Sequence, residues 1–94
     1  MSTLSEPKRL VIVGRKPLFK YVTACITLFN RGSNEIALIA RGMSIPTCID
    51  TVNLLRKAFK KNLVVKDISI WSEQYVQDGR RRYISYIRIL IAQS

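Results

Sequence analysis

Gln77-Asp78-Gly79-Arg80-Arg81-Arg82 stands where two β-strand patterns meet, one over residues 63–76 and one over residues 81–92. Asp-Gly between such runs is a strong short-range hairpin signal. Glycine, and to a lesser degree aspartate, tolerates the positive φ that a tight hairpin turn needs. The arginines that follow crowd like charge onto the hairpin tip, where nothing in the sequence offsets the repulsion. A polyanion would offset it. This stretch therefore predicts both a long antiparallel hairpin and a nucleic-acid partner met by a β-arm.

Each hairpin strand would reach ~12 residues or more, about twice the usual length. Near the turn, Ser72, Glu73 and Gln74 and then residues 77–82 are polar on both faces, so residues 72–83 cannot lie on a core and should project as an arm. Upstream, Leu10-Val11-Ile12-Val13 is an apolar run ended by Gly14, the pattern of a strand buried on both faces. Pro17 suits the first turn of a helix. Leu18, Val22, Cys25 and Phe29 recur at helical spacing before Gly32, a left-handed stop. Residues 35–41 form a second strand ended at Gly42. Ser44 can cap a second helix with Pro46 in its first turn. The apolar stripe of that helix is Ile45, Cys48, Ile49, Val52, Leu55 and Phe59, and Asn62 ends it. Residues 1–6, closed by Pro7, should fray.

The order β-α-β-α-β-β describes an α/β chain of the α+β two-layer kind, a single domain over residues 1–94. It predicts a mixed four-stranded sheet with two helices on one face and a protruding C-terminal hairpin. The first β-α-β should place its strands parallel through a right-handed crossover.

Composition agrees with this class. Lysine and arginine number 16 against 6 acids, a net charge of +10, while 48% of residues are hydrophobic. That is a folded chain with surplus positive charge, not a disordered basic tail. Binding a polyanion would relieve its self-repulsion by releasing counterions. No apolar run reaches the ~18–20 residues that span a bilayer, and residues 1–10 lack the apolar stretch of a signal peptide, so no membrane partner and a cytoplasmic location are expected. Cys25 and Cys48 lie far apart on predicted helix faces and there is no histidine, which argues against zinc and favours inert core thiols over a disulfide. With Asp50, Asp67, Glu73 and Asp78 scattered, no acid–base pair is visible, and neither an enzyme nor a cofactor is expected.

The cations fall into three groups. Lys8, Arg9, Arg15, Lys16 and Lys20 surround the end of the first strand and the following helix start, where backbone N–H groups and the dipole favour a phosphate. Cations there oppose the dipole, so Arg15 and Lys16 point to a ligand. Arg56, Lys57, Lys60 and Lys61 close the second helix, where they complement its dipole. Arg80, Arg81 and Arg82 suit a narrow, negative minor groove. Of the aromatic residues, Trp71, Tyr75, Tyr83 and Tyr86 can stack on unpaired bases, stiffen the hairpin as cross-strand pairs, or line a dimer, with the structural roles favoured. Phe59, beside Lys60 and Lys61, is either core or an exposed anchor for another subunit.

Val11-Ile12-Val13-Gly14-Arg15-Lys16-Pro17, the Tyr21-Val22 pair, Ile39-Ala40-Arg41-Gly42, Ile45, Ile49-Asp50-Thr51-Val52 and the Asp78-Gly79-Arg80 hairpin together resemble the Alba family of archaeal chromatin proteins, in order along nearly the whole chain. The family's fold is similar to the C-terminal domain of a bacterial translation initiation factor. The resemblance implies a chromosome-associated dimer, a homodimer or a heterodimer with a paralogue, that coats and compacts double-stranded DNA with little sequence preference and also binds RNA. It assigns phosphate contact to Arg15 and Lys16, with Lys20 beside them, a supporting contact to Arg41, and groove contact to Arg80, Arg81 and Arg82. It places Phe59 between dimers in higher-order assembly on DNA. Many members carry lysine at the position of Arg15, and acetylation there weakens DNA binding, so any such switch in this chain falls to Lys16. Met43 and Thr47 stand where the family often has basic residues, which shifts weight to the arm. Eukaryotic relatives in ribonuclease P supply the alternative of an RNA-binding ribonucleoprotein subunit. A KH domain would need a Gly-x-x-Gly loop, which is absent.

Overall fold

The computed structural model describes residues 9–59 and 62–93; the expected fraying of residues 1–6, and Lys8, Lys60 and Lys61, lie outside them. Strand β1 (Arg9–Val13) leads to helix α1 (Leu18–Asn30) and strand β2 (Glu35–Arg41). A 3-10 turn (Gly42–Ser44) then enters helix α2 (Ile45–Leu54), which continues as a π-helical turn (Leu55–Phe59). Strands β3 (Leu63–Gln77) and β4 (Arg80–Gln93) complete the chain. The sheet order is β1-β2-β4-β3. β1 and β2 run parallel, and β4 is antiparallel to both of its neighbours.

Period-two alternation decides what each strand buries. Val11 and Val13 of β1, Ile36, Leu38 and Ala40 of β2, and Ile87, Ile89 and Ile91 of β4 pack into one core with Tyr21, Val22, Cys25 and Phe29 of α1 and Cys48, Val52 and Leu55 from α2 and its π turn. Both helices thus cover one face of the sheet. The other face carries Leu10 and Ile12, 57% and 70% exposed. This corrects the expectation that β1 is buried on both faces. An uninterrupted apolar run does not reveal its period, and β1 is an edge strand with helices on one side only.

Local chemistry explains the element ends. At the end of α1, Ser33 N–H donates to the Leu28 carbonyl and Gly32 N–H to that of Phe29, both at 3.0 Å. With Gly32 at φ +98° this is a Schellman cap. Pro17 sits one residue earlier than expected. It is the extended N-cap of α1 (φ −58°, ψ 148°) rather than a member of its first turn. Ser44 occupies the N-cap of α2 without a side-chain hydrogen bond, and Pro46 lies in the first turn. The buried Thr51 hydroxyl donates to the Thr47 carbonyl at 2.7 Å, so it costs the core nothing unpaired.

The α2 stripe is narrower than its sequence implied. Cys48, Val52 and Leu55 are buried, but Ile49 is 40% and Phe59 50% exposed. The π turn explains Phe59: i→i+5 bonding widens the turn, so the residue four beyond Leu55 no longer falls on the core face. Cys25 and Cys48 are free and fully buried. Burial pushes the Cys25 thiol up to about 12, with the neighbouring Cys48 adding to it, and burial raises Cys48 to about 11.

β3 departs from a regular ladder between Val65 and Asp67, where Lys66 is the extra residue. Lys66 Nζ donates to Glu35 Oε2 at 2.5 Å across the sheet. Among the described residues no helix is long and apolar enough to cross a membrane.

Candidate nucleic-acid interface

Strand register brings the predicted site residues to one end of the molecule. Because β1 and β2 are parallel, with Val13 opposite Ala40, the loop of residues 14–17 and Arg41 leave the sheet at the same edge. Arg41 pairs with Tyr86, and the ladder from Ser72–Ser85 to Gln77–Arg80 runs on beyond the end of β2. Six residue pairs at the usual strand rise project about 20 Å. The arm therefore rises from the end that carries Arg15, Lys16 and Arg41. Lys20, in the first turn of α1, is exposed beside them.

The loop is held by a residue that periodicity does not single out. Tyr21, buried on α1, turns its hydroxyl back to accept from Gly14 N–H at 2.9 Å and Lys16 N–H at 3.0 Å. This changes the expected chemistry. The amides of Gly14 and Lys16 are already satisfied, so they are not an open cradle for phosphate. What the loop offers outward is its side chains: Arg15 and Lys16 are both exposed. The signal for Tyr21 was its place three residues after Leu18 and next to Val22, but a bond to a backbone seven residues earlier is visible only in three dimensions.

The arm ends in a two-residue turn with φ +52° at Asp78 and +74° at Gly79, the type I′ pattern that matches strand twist. Alternation then splits the arginines. Arg80 and Arg82 lie on the face turned away from the helices, and Arg81 on the opposite face. Positive charge thus covers both sides of a ribbon two strands wide. Tyr75, Val76 and Tyr83 are exposed along it. Nearer its root the rings of Trp71 and Tyr86 stack across the strands, with centroids 5.2 Å apart and planes 6° from parallel. Of the roles open to these aromatics, that pair takes the cross-strand one.

Phe59 is elsewhere. α2 leaves the arm end after β2 and returns the chain to Leu63, which pairs with Gln93 at the far end of the sheet. Phe59 lies there, half-exposed, with exposed Arg56 and Lys57. The structure therefore brings Arg15, Lys16, Lys20, Arg41 and the arm together and keeps Phe59 apart from them.

Comparison with known proteins agrees with this architecture. The Alba family profile matches residues 9–72. The chain is 39% identical to the DNA/RNA-binding protein Alba 1 of Archaeoglobus fulgidus over 83 residues, which cover 88% of this chain and 93% of that protein. It is 37% identical to the DNA/RNA-binding protein Alba of Methanothrix thermoacetophila over 84 residues, 89% and 94% of the two chains. Among solved structures, Alba from Thermoplasma volcanium superposes with a TM-score of 0.84 at 28% identity, covering 90% of this chain and all of that one. An Alba protein of Trypanosoma brucei shares the fold at a TM-score of 0.75 and 24% identity, covering 96% of this chain and 73% of that one. A mixed sheet of this order, helices on one face, a long basic hairpin and these relatives lead to one assignment: the chain belongs to the Alba family.

Proposed function

We propose that this chain binds double-stranded DNA without sequence preference, as a dimer that coats and compacts it in the nucleoid, and that it also binds RNA. The observation that carries this is the convergence of Arg15, Lys16, Lys20 and Arg41 with a two-sided arginine arm at one end of the molecule. Phosphates are the shared feature of all duplexes, so side-chain cations on a pinned loop give grip without sequence information. An arm with arginines on both faces fits a groove whose two walls are both negative. The names of its archaeal relatives, DNA/RNA-binding proteins, support both polymers as ligands.

An apolar strip supports dimerisation. Ile68 and Ile70 of β3 lie on the helix side of the sheet yet are 57% and 77% exposed, with Ile49 of α2 also exposed. Their own helices do not reach them. A second copy seated there would bury the strip and set two arms on one duplex. Half-exposed Phe59, at the end away from the arm, is placed to join neighbouring dimers along DNA.

The test is a titration with duplex DNA and with RNA across salt. If binding is phosphate neutralisation, log K falls linearly with log salt at ~0.9 per phosphate contacted on DNA. With four or more cations engaged per subunit, a dimer should give a slope of several units and almost no dependence on sequence. A flat salt response, or one site preferred by ~10³ or more, overturns the proposal.

A further inference from the structure

Apart from Arg41 and the arm-tip Arg80 and Arg82, the sheet face turned away from α1 and α2 has no part in gripping a duplex. Register sets Arg41, Tyr86 and Trp71 side by side across β2, β4 and β3. The adjoining row on the same face is Ile12, Ile39, Arg88 and Ser69. Trp71 and Tyr86 are half-buried, and so is Arg88. Three carboxylates share the face, and each has a partner on it. Glu35 receives Lys66, Asp67 receives the Ser69 hydroxyl at 3.3 Å, and Glu73 receives Trp71 Nε1 at 3.2 Å. Neither Arg41 nor Arg88 has a carboxylate partner among the described residues. The face thus combines a stacked aromatic pair, an apolar floor and two unneutralised guanidinium groups.

We propose that this open face is a second nucleic-acid site, one that takes unpaired nucleotides. A base stacks against the Trp71–Tyr86 pair, and Arg88 with Arg41 meets the flanking phosphates. The chemistry separates it from the duplex grip. Every base has a π-face, so stacking on aromatic side chains is sequence-tolerant, but a base already stacked inside a duplex cannot use it. The planar guanidinium of arginine can itself lie against a base or fork onto a phosphate. The site goes beyond the duplex proposal: it shares Arg41 with it, but Trp71, Tyr86 and Arg88 belong to neither the loop nor the arm tip.

Trp71 is the only tryptophan of the chain, so its emission reports the site directly. The intact protein is titrated with a single-stranded uridine decamer, a thymidine decamer and a blunt duplex, following emission and affinity together. We expect single strands to quench Trp71 saturably. Tyr86→Leu, which keeps bulk but removes the π-face, should weaken single-strand binding about tenfold or more, and Arg88→Gln severalfold, with duplex affinity unchanged in both. Arg15→Gln with Lys16→Gln should do the reverse. Absence of quenching by either decamer overturns the proposal, as does equal loss of duplex and single-strand affinity in Arg88→Gln. Trp71 emission that responds to protein concentration but not to oligonucleotide would assign the face to a second copy, and also overturns it. Should Tyr86→Leu fail to fold, Arg88→Gln and the wild-type quenching decide alone.

Discussion

Tyr21 links the core to the candidate interface through one oxygen atom. Its ring is buried with Val22 and Cys25, and its hydroxyl fixes the backbone on either side of Arg15. Tyr21→Phe keeps the ring and orphans two part-buried amides, so we expect unfolding free energy to fall by about 1–2 kcal/mol. Duplex binding should weaken less than in Arg15→Ala, because the cations remain. Urea unfolding beside a binding isotherm checks this, and total loss of binding with the fold intact would put the hydroxyl itself on a phosphate. Arg15→Ala and Lys16→Ala should each weaken binding to all sequences alike and lower the salt slope by about one. A double variant with undiminished binding would reduce the loop to a helix start. The buried thiols make a separate, pH-dependent prediction. Cys25 and Cys48 are raised to about 12 and about 11 in the folded chain, from 9.0 for an unperturbed thiol. Between those values the unfolded state has lost protons that the folded state keeps. Stability is therefore complete below pH 9.0 and falls as pH rises, by about 1.4 kcal/mol per unit for each thiol. Cys25→Ala with Cys48→Ala should flatten that alkaline slope, and equal slopes in variant and wild type would sink the argument.

The elements differ in how far their sequence disclosed them. The hairpin was legible almost to the residue, because its cause is local: Asp78-Gly79 must turn, and the polar residues around it cannot lie on a core. The Gly32 cap and the β2 boundaries were equally local. β1 was misread because Leu10-Val11-Ile12-Val13 carries no period, and which of its faces is covered depends on helices that follow it. The spent amides of Gly14 and Lys16 escaped detection for the same reason, since their acceptor belongs to another element. Phe59 shows how an element's geometry redirects a residue. Its spacing left core and surface open, and the π turn carries it outward to 50% exposure. Phe59→Ala should then leave thermal unfolding within about 1 kcal/mol of wild type, well short of the ~3–5 kcal/mol of a buried phenylalanine, while cooperative coating of DNA is lost. A large fall in melting temperature would return Phe59 to the core. The arm is the opposite case, an element whose residues pack on little beyond each other. Trimming residues 72–83 to a tight turn should preserve folding, weaken duplex binding, lower the salt slope, and abolish competition by a minor-groove ligand. Affinity and competition unchanged by trimming would remove the arm from the interface.

At the scale of the whole molecule, the chain is a thin slab, 46 × 37 × 18 Å, with the loop and arm cations at one end and an uncovered apolar strip along the β3 edge. Those two features belong to one design if the functional unit is a pair. One copy brings one loop and one arm, which grip a duplex from one side. Two copies joined through Ile68 and Ile70 would bring two arms, and the second contact becomes intramolecular once the first has formed. Linking two binding modules in this way raises avidity by ~10²–10⁴ without any new kind of contact. Ile68→Asp with Ile70→Asp tests the pairing. Both side chains are more than half-exposed in the single chain, so an aspartate at either position meets water there and the fold should survive. In a dimer the same aspartates would be buried against apolar side chains without partners, a cost of several kcal/mol that dissociates the pair. We expect sedimentation to report a folded monomer and duplex affinity to fall by ~10² or more. The salt slope per bound protein should drop by about half, because half the phosphate contacts are gone. Arginine substitutions in the loop should then cost the monomer as much per contact as they cost the dimer. A variant that stays dimeric would move the interface to another surface. A monomer that binds as tightly as wild type would show that a single arm and loop suffice, and that pairing serves coating rather than grip.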